Sequence, residues 1–260
     1  MRFVGIDFGW MTGASGLCCL DFLPGNHARG QNKLAIATFD LILDPVEIVD
    51  WVNQVLPLEM PGLVAVDAPT IIPNTTGTRL PDRLTHQYFG KYHAGCYPAN
   101  LNRPFAPRTT QLGLDLEAVG FVHAPEITAK QDGRYQIEVF PHPAMVNLFN
   151  LDRIIKYKKG RLGDRRQELL RLVAYIQTRL PELEPALQLD SSWYALVNQI
   201  AEARGNAMKQ IEDRLDALIC AYVGAYWWYW GAEKNQTLGD RQSGYIIVPA
   251  PVTMNGQQSL

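Results

Sequence analysis

The chain has 260 residues, 47% of them hydrophobic and 19% charged, with a formal net charge of −2. That is an ordinary globular balance, and it can bury a substantial core without staples. It excludes a surface that is basic all over, so any contact with a polyanion has to be a local patch.

The four cysteines, Cys18, Cys19, Cys96 and Cys220, follow no disulfide framework and read as reduced thiols. The N-terminus enters a strand with no signal-peptide pattern, so the expected location is cytoplasmic. No apolar stretch approaches the ~20 residues of a membrane span, so no membrane partner is expected.

In chain order, residues 2–7 read as a buried strand and Gly9 to Gly16 as a turn. Leu17–Phe22 is a second strand, followed by a loop punctuated by Gly25, Asn26 and Gly30. Leu34–Leu43 alternates as a third strand. Asp44-Pro45 supplies an N-cap with proline in the first turn, and a helix follows up to Pro57. Leu63–Val66 is the fourth strand. This β-β-β-α-β order predicts an antiparallel meander with the fourth strand brought beside it by the helical crossover.

Residues 68–134 form a loop-rich insertion, with a short helix at about Leu84–Tyr92. Tyr135–Phe140 is a fifth strand, ending at Pro141-His142-Pro143. The rest is mostly helical: Leu162–Leu180, about Trp193–Arg204, and a long apolar helix over Ile211–Trp230. The aromatic run at the end of that helix reads either as helix-end packing or as an interfacial or oligomer surface. Gly244–Val248 is a final edge strand, and 251–260 is a polar tail. The expectation is one domain over 1–250, with a mixed five-stranded sheet flanked by helices and a helical C-terminal half.

Acidic residues stand at telling places. Asp7 ends the first strand within Gly5-Ile6-Asp7-Phe8-Gly9, where backbone can approach a ligand closely. Asp67 ends the fourth, before Ala68-Pro69, at the carboxyl edge where α/β sheets place ligands. Asp213 and Asp216 are neighbours on one face of the long helix, Asp216 nearer its apolar stripe. Converging carboxylates repel, and a divalent cation is the simplest thing that keeps them ionised together. Each also has a bland reading as a turn, cap or first-turn acid. Glu138 lies on the strand face opposite Ile137 and Val139, and reads equally as a fourth ligand or as solvent-facing.

His142 could orient a water or a phosphate, and Arg79 and Arg83 could rim a pocket. His86, His93 and Cys96 fit no compact zinc motif. Residues 152–166 hold seven cations (Arg153, Lys156, Lys158, Lys159, Arg161, Arg165 and Arg166) against Asp152 and Asp164, a local +5. Gly160 and Gly163 interrupt that run, so it reads as a loop offering cations to a nucleic-acid backbone.

Acids on the first strand, the fourth strand and the late helix make the layout resemble the ribonuclease H-like fold. Asp213-Arg214-Leu215-Asp216-Ala217-Leu218 looks like the carboxylate-bearing helix start of the Holliday-junction resolvases. Gly5-Ile6-Asp7, Val66-Asp67-Ala68-Pro69, Ile137-Glu138-Val139-Phe140-Pro141, Lys158-Lys159-Gly160-Arg161 and Asp213–Ala217, in that order, are similar to domain-of-unknown-function family 429. That family is described as predicted ribonuclease H-like nucleases, and the resemblance spans about residues 2–250.

The resemblance implies Mg²⁺ or Mn²⁺ held by Asp7, Asp67 and Asp216, with Asp213 or Glu138 completing the cluster. It implies a catalytic set of Asp7, Asp67, Asp216 and Glu138. Two such ions, ~3.5–4 Å apart, would promote in-line attack on a phosphodiester. A second class shares the opening turn: in sugar-kinase and actin-like phosphotransferases a phosphate loop also follows the first strand. Asp7-Phe8-Gly9-Trp10-Met11-Thr12-Gly13 fits that loop loosely, but no second Asp-x-Gly strand end and no Gly-Gly run follow. The third reading is a non-catalytic domain that binds a nucleotide or a partner protein.

Overall fold

Alternation along three strands sorts the interior of the computed structural model, which describes residues 1–25 and 30–252. Asn26 and all but the first two residues of the polar tail lie outside the described residues. Strands β1 (Arg2–Asp7), β2 (Ser15–Leu23) and β3 (Lys33–Ile42) form the antiparallel meander. Helix α1 (Pro45–Val55) begins at Asp44, whose side chain accepts from the Val46 N–H, and it crosses over to β4 (Gly62–Val66), parallel to β1.

Successive side chains of a strand point to opposite faces. Phe3, Leu63 and Ala65 therefore share one face, in one apolar cluster. Val4, Ile6, Val64 and Val66 share the other, packed on Ile48, Trp51 and Val52 of α1. Cys18 and Cys19 divide between the two clusters, as neighbours on a strand must, and all four cysteines are free thiols.

The insertion is more ordered than a loop. It holds α2 (Leu80–Phe89), α3 (Ala106–Ala118) and the two-residue strand β5 (Val122–His123). Strand β6 (Arg134–Glu138) lies parallel to β4. Pro141-His142-Pro143 does not merely end it: Pro141 sits in the first turn of helix α4 (Pro141–Phe149), where its missing N–H costs nothing. Helix α5 (Leu162–Arg179), strand β7 (Ala186–Gln188), helix α6 (Ser191–Val197) and helix α7 (Asn206–Trp230) follow.

Among the described residues the sheet has seven strands, ordered β5-β6-β4-β1-β2-β3-β7, rather than the expected five. The two extra strands are edge pieces of two and three residues, too short to carry a periodic signal. The antiparallel meander, with parallel strands added beyond β1, is the arrangement expected from the connections up to β4. The last strand is a correction. Strand β9 (Gly244–Pro249) pairs antiparallel with β8 (Asn235–Asp240) in a separate hairpin, and a bridge from Ile247 to Val139 links it to the main sheet.

Helix α7 is buried along most of its 25 residues and lies directly on the sheet. Glycines permit this. A Cβ on Gly5 would fall 2.0 Å from the Ala217 carbonyl oxygen, and one on Gly16 would fall 2.1 Å from that of Asp213. The aromatic end of α7 is core: Tyr226, Trp227, Trp228 and Tyr229 are all buried, and the indoles of Trp227 and Trp228 donate to the carbonyls of Ala124 and Gln131. Among the described residues, no helix is long and apolar enough to cross a membrane.

Candidate functional site

Asp7 and Asp67 have the strand parity of Phe3, Gly5, Leu63 and Ala65, so both carboxylates leave the sheet on the α7 side. Their backbones are held side by side, the Asp67 N–H donating to the Ile6 carbonyl at 2.8 Å. The Trp10 indole stands beside them, donating to the Asp67 backbone carbonyl at 2.9 Å and packing on Phe105. Helix α7, brought close by Gly5 and Gly16, adds Asp213 and Asp216 from its second and third turns.

The result is an open cleft of about 780 Å³ at the carboxyl ends of β1 and β4. Asp7, Asp67, Asp213, Glu212, Lys158, Lys209, Arg165, Trp10 and Phe140 line it. Asp216 is wholly buried behind this wall.

Its two carboxylate oxygens are taken. The Tyr157 hydroxyl donates to Oδ1 at 2.5 Å, and the Lys158 ammonium stands 2.6 Å from Oδ2. The second contact is an ion pair without hydrogen-bond alignment, since Oδ2 has no hydrogen-bond donor. Asp213 pairs with Lys209 one turn earlier, at 2.5 Å, and Glu212 with Arg165 at 2.7 Å.

The acids feel one another. Burial first, then the charges of Asp216, Asp67 and Asp213, push the Asp7 acid well above the usual carboxylate range, while Lys158 opposes them. Burial, aided by Asp216 and Glu138 and opposed by Lys158, pushes Asp67 up to about 7. Burial pulls the Lys158 ammonium toward neutrality, but Asp216, Asp7, Tyr157 and Asp67 together outweigh it and keep the group charged.

The remaining sequence-derived residues scatter. Glu138 is on the opposite strand parity, and its carboxylate is gripped by both terminal nitrogens of Arg79, at 2.7 and 2.9 Å. Arg79 also holds Asp82 and the Ile71 carbonyl, all of it buried, so Arg79 and Glu138 are committed to each other. Arg83 is tied to the Thr78 carbonyl at the surface.

The basic run is not one patch. Lys158 turns inward, Lys159 lines a different cleft, and Arg161 stands exposed at the start of α5. Arg166 holds the Ile200 and Ala203 carbonyls. His142 packs on Phe140 and Tyr157, and its Nδ1 is buried without a hydrogen-bond partner. Burial, then Lys158, lowers its pKa to about 4, so its ring is neutral.

Sequence reasoning missed four participants. Glu212 directly precedes Asp213 in the chain and pairs with Arg165. Lys209 was signalled by its i,i+4 spacing to Asp213. Trp10 follows the Asp7 turn directly. Tyr157, from a segment 59 residues away from Asp216, carried no signal.

The donor set suits a hard cation such as Mg²⁺ or Mn²⁺, which takes carboxylate oxygens. It is not assembled as a cage: among the described residues no three His, Cys, Asp or Glu side chains are placed to hold an ion. His86, His93 and Cys96 form no such group either.

Fold and cleft together define the class: an α/β protein with an acidic cleft where its central parallel strands end. The chain belongs to the family described as "Protein of unknown function (DUF429)", whose model matches residues 5–242. It is also similar to the Thermus thermophilus RuvC structure, at 12% identity over 87% of this chain and 95% of that one, with a TM-score of 0.40. No curated protein matches the sequence.

Proposed function

We propose that the chain is a metal-dependent phosphodiester hydrolase acting on nucleic acid. One observation carries this reading: carboxylates from β1, the end of β4 and α7, from Asp7 to Asp213 in the sequence, share one open cleft at the end of the sheet. Asp7, Asp67 and Asp216 would supply oxygens to the cation, with Asp213 completing the set. A bound divalent ion would supply the positive charge that stabilises negative charge developing on phosphorus-bound oxygens.

The chain's own groups supply the rest. Lys209 and Arg165, on the rim, attract and orient a phosphate. Trp10 and Phe140 form an apolar wall that limits water around the reacting group. The contact with nucleic acid is local, in keeping with the net charge of −2.

Hydrolysis of branched, single-stranded and hybrid substrates with Mg²⁺ or Mn²⁺ tests the reading. Wild type is expected to cut at least one of them, and Asp7→Asn is expected to lose activity by about 10²-fold or more. Equal activity in the two proteins overturns it.

The ion pair between Lys158 and Asp216 favours a second reading: a binding domain of the same fold whose central acid is neutralised by its own lysine. Under that reading no substrate is cut, and neither Mg²⁺ nor Mn²⁺ changes the melting temperature.

A further inference from the structure

We propose that Lys158 is the resident cation of the acidic cleft and competes with a divalent ion for Asp216, so that the ion binds fully only when Lys158 swings out. The inference rests on the metal-dependent reading above and concerns how that site is regulated.

Three observations carry it. The ammonium already occupies, at 2.6 Å, the only oxygen of Asp216 that Tyr157 leaves open. Asp216 is fully buried, yet the Lys158 side chain keeps 38% of its surface exposed, so the cation can depart while the acid stays. Lys158 lies in the segment between α4 and α5, which has no regular structure from 151 to 161. Beyond it, Gly160 has φ +117° and nothing within 4 Å of where a Cβ would sit, so the chain can pivot there without a clash.

On the near side the segment is fixed. Ile155 and Tyr157 are buried, and the Tyr157 ring lies 5.9 Å from that of His142. The His142 Nδ1, buried and without a partner beside this pair, marks the spot as one whose polar groups are not all satisfied by the folded chain. The moving part is thus the lysine side chain and the residues just after it, swinging from an anchored tyrosine.

A unit positive charge a few ångströms from an incoming divalent ion, beside a fully buried acid, repels it, so removing that charge tightens ion binding even though one Asp216 neighbour is lost.

The test is calorimetric titration of the full chain with MnCl₂. Lys158→Met is expected to bind Mn²⁺ about tenfold or more tighter than wild type, and Lys158→Arg to stay near wild type. Asp7→Asn in the Lys158→Met background is expected to abolish the gain, which places it in this cleft. Lys158→Gln removes the same charge with a polar side chain that can still hydrogen-bond the Asp216 carboxylate, and is expected to tighten Mn²⁺ binding in the same direction, so it carries the test if Lys158→Met does not fold.

Equal or weaker binding by Lys158→Met, with binding still sensitive to Asp7→Asn, overturns the competition and leaves the metal reading intact. Absence of Mn²⁺ binding in wild type and in every variant overturns both.

Discussion

Asp67 is an acid whose ionisation the fold resists. Burial is the main cause, Asp216 and Glu138 reinforce it, and Lys158 only partly offsets it, which together place the group at about 7 against an ordinary 3.8. With the folded value raised, the favourable contribution of the protonated acid is complete below 3.8 and is lost as pH climbs through about 7. Asp67→Asn is therefore expected to melt at a higher temperature than wild type above pH 7, with the gap closing toward pH 4. Thermal melts across that range in the presence of a chelator check it, and a gap that does not depend on pH contradicts it.

The site was legible at this scale wherever a residue's own strand or helix fixed its direction. Asp7 and Asp67 end adjacent strands with the same parity, and Asp213 and Asp216 share a helical face. Glu138 could not be resolved from its strand, because its partner Arg79 comes from a turn 59 residues earlier. Lys158 sat in a run of cations that suggested an outward-facing loop. Only the structure shows that Tyr157 is buried and carries its neighbour inward.

Among the elements, α7 bears most on the chemistry, and two glycines set its depth. A methyl group on Gly16 would lie 2.1 Å from the Asp213 carbonyl oxygen, a backbone atom that can yield only by moving the helix. Gly16→Ala is expected to destabilise the chain by about 1–3 kcal/mol. In α5, by contrast, Gly163 has open space around it, and Gly163→Ala is expected to be neutral or slightly stabilising. Urea denaturation midpoints of both variants against wild type decide the point, and similar midpoints for the two count against tight seating of α7.

Element types were recoverable where a periodic apolar pattern ran long enough, as in α1, α5 and α7. They were not where prolines masked a helix start, as at Pro141 of α4, or where the apolar stripe was thin. Helix α3 buries little beyond Thr109, Leu112, Gly113 and Leu116.

At the scale of the molecule, the insertion is locked to the sheet by one buried ion cluster. Arg79 joins the start of α2 to the end of β6 through Asp82 and Glu138. Arg79→Met strands two buried carboxylates and is expected to cost about 3–5 kcal/mol. Arg79→Lys is expected to recover little of it, because a single ammonium cannot bridge both acids as the planar guanidinium does. Equilibrium unfolding of the two variants measures this. A loss below about 1 kcal/mol in both would place the cluster among interactions that contribute little.

Strand order up to β4 follows from connection lengths, so the centre of the sheet was legible. The hairpin of β8 and β9 was not: β8, Asn-Gln-Thr-Leu-Gly-Asp, has little of the apolar alternation that marks a strand.

The helix that carries Asp213 and Asp216 also forms the floor of the interior from Met208 to its closing tryptophans. Chemistry and architecture are welded together along that one rod, so the acids cannot slide or rotate without repacking the hydrophobic centre. Adaptation of the cleft to a new substrate is thereby channelled to its other walls, the turn bearing Trp10 and the stretch ahead of α5, where sequence can drift without unseating the scaffold.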